Sequence, residues 1–248
     1  MKTYTTSQIA KIVGVHPNTV RMYEKWGLIS IPDRKANGYR IYTDIHIAQF
    51  EMAKKAFQIE LLQSGMRKQM IDALKFCAQC KFDEASACVV RYLEQTEREI
   101  EHTKEAARLT ASFFQHTLDS GKTYKRADAA KALHVTIDTI RNWEMNGLIT
   151  VKRKENGYRI YDTNDMNRLK IIRTLRCANY SLSSILRMFQ ALENQESVET
   201  SDVLNILNTP RADEEIILAC DKLMDSLYHA RKNAKEVLTI LNEIKKYF

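Results

Sequence analysis

The chain has 248 residues, with 38 Lys/Arg against 31 Asp/Glu and a net charge of +7. That length suits one or two domains, and with 3 prolines, 7 glycines and no long Gly/Ser or Pro tract, helix is the expected default. No apolar run approaches the ~18 residues of a membrane span, the opening M-K-T-Y-T-T-S-Q-I-A lacks a signal-like stretch, and five cysteines (Cys77, Cys80, Cys88, Cys177, Cys220) form no disulfide framework, so a cytoplasmic protein is expected.

In chain order, Thr6 is placed to cap a short helix, Ser7 to Val13, with Ile9, Ala10 and Val13 on one face. Gly14-Val15 makes a turn, and His16-Pro17 opens a second helix through Val20, Tyr23 and Glu24 that stops at Gly27. Two short helices around a tight turn are the helix-turn-helix pattern. The strand-like L-I-S-I follows, then a basic tip ending in Asn37-Gly38, then Y-R-I-Y, which together predict a β-hairpin wing.

The same text returns about 120 residues later. Tyr4 to Ile29 is matched by Tyr124 to Ile149, and N-G-Y-R-I-Y occurs at both Asn37–Tyr42 and Asn156–Tyr161. Here the helices run Ala127 to Leu133 and Ile137 to Asn146, with His134-Val135 as the turn and Gly147 as the stop. A repeat this long is a duplicated module rather than a solenoid unit. Residues 1–43 carry seven Lys/Arg against two Asp/Glu, and residues 122–161 carry nine against four. Positive charge gathered on the modules, above a slightly acidic remainder, is the footprint of a nucleic-acid partner.

In a winged unit the second helix fits the major groove and the wing reaches the neighbouring backbone. Outward positions early in that helix are His16, Asn18, Thr19 and Arg21 in the first module, and Thr136, Asp138, Thr139 and Arg141 in the second. Asp138 suits either a cytosine amino group or a helix cap. Arg40 and Arg159, with the hydroxyls of Tyr42 and Tyr161, suit phosphates, which position a protein without reading sequence.

The run from Tyr4 to Ile29 followed by N-G-Y-R-I-Y resembles the MerR family of bacterial transcriptional regulators. The second copy is similar and continues into D-M-N-R-L-K-I-I-R-T-L-R-C-A-N-Y-S-L-S-S-I-L-R-M-F (Asp165 to Phe189), the two helices that complete the family's winged domain. The first copy departs there, with I-H-I-A-Q-F-E-M-A-K-K-A-F, although Gly65 and Ile71 fall where expected. The resemblance implies DNA contacts from Arg21, Arg40, Arg141 and Arg159. It also implies one from the following aromatic, Tyr23 in one copy and Trp143 in the other. It further implies RNA polymerase as a partner, and activation by bending and untwisting promoter DNA.

Between and after the modules, Glu84 to Leu118 carries Val89, Leu93, Ile100, Ala107 and Phe114, a stripe diluted by Thr96, Thr103 and Thr110. Ala212 to Phe248 has a cleaner 4-3-4-3 seam: Ile216, Cys220, Leu223, Leu227, Ala230, Ala234, Val237, Leu241, Ile244 and Phe248. Two helices of near-equal length, about 50 Å at ~1.5 Å per residue, are expected to pair. The predicted fold is therefore mainly α: two winged helix-turn-helix domains (1–78 and 122–195), each followed by a long helix (83–119 and 211–248), the long helices forming an antiparallel coiled coil.

In the family, two protomers join through such helices. The short connector Asp119 to Thr123 then implies two protomers fused into a single-chain pseudo-dimer that reads two unlike half-sites; the alternative is a homodimer with four DNA-binding units. Cys77, Cys80 and Cys88 near the first long helix match metal-sensing members only in part, because the loops Leu118 to Tyr124 and Lys245 to Phe248 hold no cysteine or histidine. No metal and no cofactor are expected. If a ligand acts, Phe57, Phe76 and Phe82 are candidates for its walls, although core packing is the favoured reading of these aromatics. No phosphate loop, nucleophile-and-base pair or metal constellation argues for an enzyme. The expected function is a sequence-specific transcription regulator on double-stranded promoter DNA. An architectural or excisionase-like factor and a protein-interaction module are the alternatives.

Overall fold

Thr5, rather than Thr6, caps the first helix of the computed structural model, which describes residues 2–58, 66–115, 121–152, 159–193, 195, 197–210 and 219–247. Its hydroxyl accepts from Gln8 N and the Gln8 side chain accepts from Thr5 N, a reciprocal cap that satisfies two free amides. Eleven α-helices and five short strands are present among the described residues. The chain forms two compact units, Met1–Arg98 with Ser226–Phe248, and Glu99–Asp225.

In the first unit, β1 (Thr3–Tyr4), α1 (Thr6–Val13) and α2 (Pro17–Lys25) precede β2 (Asp33–Arg34), β3 (Arg40–Thr43), α3 (Asp44–Phe57) and α4 (Met66–Ala78). The strands form an antiparallel sheet in the order β1-β3-β2, with Tyr4 opposite Tyr42 and Arg34 opposite Arg40. The strand expected at L-I-S-I does not form. Leu28 and Ile29 are buried as side chains of a connecting segment, and the wing begins at Asp33 instead. Gly14 turns the chain between α1 and α2 at φ +70°, a left-handed value that costs a residue with a side chain about 1–2 kcal/mol. Ile9, Ala10, Val13, Val20, Ile29, Tyr42 and Phe50 make the core, flanked by Tyr4, Val15, Tyr23 and Ile47.

His46 joins the wing to this core. It is buried, and its Nδ1 accepts from Thr43 N at 3.0 Å, so Nε2 carries the proton and faces Ser30 Oγ at 3.3 Å. Ser30 Oγ donates onward to Gln49 Oε1 at 3.0 Å. Burial lowers His46 from its ordinary value, so the ring is neutral at pH 7.

α5 (Phe82–Gln115) contributes its first part to this unit and its second part to the other. Within the first unit, Asp83 meets Lys245 Nζ at 2.6 Å, and Glu97 meets Arg231 Nη1 at 3.2 Å. Asp83 and Glu97 ascend α5 while Lys245 and Arg231 descend α11 (Leu223–Lys245), the order that antiparallel helices require. Lys55 of α3 also pairs with Glu236 of α11 at 2.6 Å.

Two expectations for these helices change. Thr96, Thr103 and Thr110 do not dilute the α5 stripe; they are fully buried in it. Each hydroxyl donates to the carbonyl four residues back, at 2.8, 2.7 and 2.7 Å, so no buried donor is left over. The long helices are also unequal, 34 residues in α5 and 23 in α11. The seam from Leu223 to Ile244 is buried as expected. Cys220, however, lies in a 3-10 turn (Ala219–Asp221), and Ile216 and Phe248 lie outside the described residues.

The second unit repeats the plan: β4 (Tyr124–Lys125), α6 (Arg126–Ala132), α7 (Ile137–Met145), β5 (Ile160–Tyr161), α8 (Thr163–Cys177) and α9 (Leu182–Leu192). Tyr124 pairs with Tyr161 across β4 and β5. His134 holds the position of Gly14 at φ +50°. The tip of this wing, residues 153–158, lies outside the described residues. An unexpected helix, α10 (Thr200–Asn208), packs on α9. Arg187 of α9 fastens it by donating to the carbonyls of Ile206 and Leu207, both at 3.1 Å. Asp221 accepts from Ser181 and Ser184 in the same buried cluster. These bonds hold Asp221 in the turn and out of the seam helix.

Candidate nucleic-acid interface

His16 and Thr136, both expected to face bases, are the N-caps of α2 and α7. His16 Nδ1 accepts from Asn18 N at 3.2 Å and Thr136 Oγ1 from Thr139 N at 3.0 Å. Both stay exposed. With Thr136 as the cap, Asp138 is left exposed in the first turn of α7, where the helix dipole favours a negative charge. Asn18, Arg21 and Arg141 are exposed, and Thr19 and Thr139 are half-buried. Arg21 Nη1 donates to Asn18 Oδ1 at 2.9 Å, so the two present one polar surface.

The wing arginines are held by the same helices. Arg40 Nε donates to Glu24 Oε2 at 2.6 Å, and Arg34 stands 3.9 Å from the other oxygen. Arg159 Nε meets Glu144 Oε2 at 2.6 Å, and Arg126 Nη2 donates to both Glu144 oxygens at 2.9 and 2.7 Å. Glu24 and Glu144 are 13% and 10% exposed, so each is a shielded anchor rather than a free charge. Among the described residues no acceptor meets the terminal nitrogens of Arg40 or Arg159, which remain available to a ligand.

Three expected contacts move inside. Tyr42 and Tyr161 are fully buried and Trp143 is 5% exposed, so none of these side chains is presented to a backbone phosphate in this conformation. Arg40 and Tyr42, two residues apart, share one face of β3, where Tyr42 fills the core with Ile9, Ala10 and Val13 of α1. The flexible arginine stem reaches back to Glu24 instead. Tyr161 donates to Glu144 and accepts from Arg126. Burial and the Glu144 bond push its phenol up to about 12, so it stays protonated. Tyr23 is half-buried, stacked on Phe50 at 5.1 Å with Phe57 edge-on at 5.9 Å, which makes Phe57 part of the packing.

Other exposed groups were not singled out in the sequence. Tyr39 is 71% exposed at the first wing tip beside Lys35. Arg173 and Arg176 line a cleft of about 450 Å³ with His134, Thr139 and Asn142 along α7. The i, i+3 spacing of the two arginines on α8 was the available signal. Among the described residues no group of His, Cys, Asp or Glu is placed to hold a metal ion. Cys77 and Cys88 are buried and Cys80 is exposed. Burial pushes the Cys77 thiol up to about 11, leaving it protonated at pH 7. Among the described residues no helix is long and apolar enough to cross a membrane.

The chain is 40% identical over 61 residues to the HTH-type transcriptional regulator CueR of Escherichia coli O6:H1, covering 24% of this chain and 45% of the relative. It is 41% identical over 63 residues to the HTH-type transcriptional regulator ZntR of Escherichia coli K12, covering 25% and 45%. The chain thus spans about half the length of the curated relatives it matches. No solved structure matches. The profile of the MerR HTH family regulatory proteins matches residues 4–74 and again 124–192, more than half of the chain. The chain belongs to the MerR family, with two of its helix-turn-helix domains in tandem.

Proposed function

We propose that this protein is a sequence-specific transcription regulator that grips double-stranded promoter DNA with both modules of one chain. The observation that carries the reading is the duplicated clamp: an exposed arginine on each recognition helix (Arg21, Arg141) beside a wing arginine tied to a glutamate of that helix (Arg40 to Glu24, Arg159 to Glu144). Such a unit brings one cation to base edges and another to the backbone in fixed register. Asn18, Thr19, Asp138 and Thr139 complete the base-facing set, with His16 and Thr136 at its edge.

Two identical protomers would require two identical half-sites. Here the helices read H-P-N-T-V-R-M-Y and T-I-D-T-I-R-N-W, so the operator has two unlike halves and a direction. α5 and α11 act as the antiparallel coiled coil of a single-chain pseudo-dimer; the ion pairs Asp83–Lys245 and Glu97–Arg231 support that pairing. By family likeness the clamp bends and untwists the spacer for RNA polymerase. Smooth bending costs about 1–6 kcal/mol, which the second set of contacts offsets.

Footprinting of the purified chain on DNA flanking its own gene tests this reading. Two unlike protected patches inside a promoter spacer support it. Protection in arrays or at recombination sites supports an architectural factor instead, and salt-insensitive or absent DNA binding overturns both.

A further inference from the structure

The second unit contains a cavity of about 520 Å³ that the DNA clamp does not use. Phe113 and Phe114 at the end of α5 form one side, Phe189 of α9 another, and Arg168 of α8 enters with Asp165 and Glu193 nearby. The volume falls in the ~300–1,000 Å³ range of small-molecule sites. These walls are not Phe57, Phe76 and Phe82, the aromatics that the sequence offered as either core or the walls of a ligand site.

Arg168 gives the cavity its chemistry. Its Nε donates to Leu148 O at 2.6 Å, and its Cζ lies 3.8 Å from the centroid of the Phe189 ring. One edge and one face of the guanidinium are thereby fixed. Among the described residues no acceptor meets its two terminal nitrogens, a fork that matches a carboxylate. Phe114 lies 6.3 Å from Phe189 at a tilt of 53°, which leaves aromatic surface on both sides of the space. Asp165 spends one oxygen on Asp162 N at 3.1 Å, and Glu193 is exposed. Their charges disfavour a second anionic group on any occupant.

The first module lacks these features. Gln49 stands in the place of Arg168, with its oxygen already accepting from Ser30 N and Ser30 Oγ. The cavity is therefore a departure of the second copy, whereas the clamp is shared.

We propose that this cavity binds an aromatic monocarboxylate, its carboxylate forked onto Arg168 and its ring among Phe113, Phe114 and Phe189. Because Arg168 also holds Leu148, at the root of the wing, the ligand sits against the segment that positions Arg159.

The test is calorimetry on the full chain without DNA, using 1-naphthoate as probe, so that failure of the DNA reading does not affect it. One probe per chain is expected, with binding at least ten times weaker in Arg168→Gln and in Phe189→Met. Arg168→Gln installs the residue that the first module carries at that place, Phe189→Met removes the ring but keeps an apolar side chain, and circular dichroism confirms that both fold. 1-Naphthalenemethanol, 1-naphthylmethylammonium and naphthalene-1,4-dicarboxylate are each expected to bind at least ten times more weakly than the probe. Absence of saturable binding, equal binding by the alcohol or the cation, or unchanged binding in Arg168→Gln overturns the proposal. If Arg168→Gln does not fold, unchanged binding in Phe189→Met overturns it alone.

Discussion

Glu24 Oε2 and Arg40 Nε lie 2.6 Å apart, linking the end of the recognition helix to the wing, and Glu144 repeats the bond to Arg159 at the same distance. A carboxylate this close to a DNA-binding surface repels phosphate by simple electrostatics. Its shielding and its bond to Nε support the opposite role under the proposed function, that of aiming the arginine's free ends. Glu144→Gln is thus expected to weaken DNA binding although it removes a negative charge. Of the bonds Glu144 makes, the one to Arg159 carries this effect, and its loss, about 1.5 kcal/mol, corresponds to roughly tenfold in Kd. Fluorescence anisotropy measures it, and tighter binding in Glu144→Gln refutes the positioning role.

Arg40→Ala and Arg159→Ala should each weaken binding to specific and random duplexes by similar factors. Each should also reduce the slope of log K against log salt by about 0.9. A change confined to sequence preference would assign these arginines to bases instead. Titrations at several salt concentrations separate the two outcomes.

His46 predicts a pH dependence of stability. Its folded pKa lies below its ordinary value of 6.5, mainly through burial, so the unfolded chain binds its proton first as pH falls. The contribution is complete above pH 6.5, is lost as pH falls through the folded pKa, and then levels off. Urea midpoints from pH 8 to pH 4.5 should drop in that window, and His46→Gln should flatten the drop. An unchanged slope in His46→Gln would show that another group titrates there.

The buried threonines of α5 already satisfy their hydroxyls within their own helix. Thr96→Val keeps the shape and removes both a buried hydroxyl and a bond back to Tyr92 O. Thermal unfolding should therefore change by no more than about 1 kcal/mol, whereas Thr96→Asp should cost several. A large loss in Thr96→Val would mean that the hydroxyl serves a partner outside α5.

Much of this fold was legible because the text is written twice. Gly14 and Gly27, the helix between them and the Leu223–Ile244 seam follow from local pattern, and they appear at φ +70°, φ +67° and full burial. What was not legible depends on distant partners. Y-R-I-Y places an arginine and a tyrosine on one strand face, and only the proximity of α1 and Glu24 decides which of them goes inside. The seam runs past Cys220 in sequence, yet Asp221 is held by Ser181, 40 residues away, and the helix starts later. Arg168 looked like an ordinary helix cation until Leu148 O and Phe189 fixed it in the cavity wall.

The central claim is that one chain supplies both halves of the clamp. Native mass spectrometry of the purified protein on a footprinted duplex, with each protected patch scrambled in turn, tests it most directly. One chain per duplex is predicted, with unequal affinity losses from scrambling two patches about two helical turns apart. Two chains per duplex with equal losses would contradict the single-chain account and establish a symmetric homodimer.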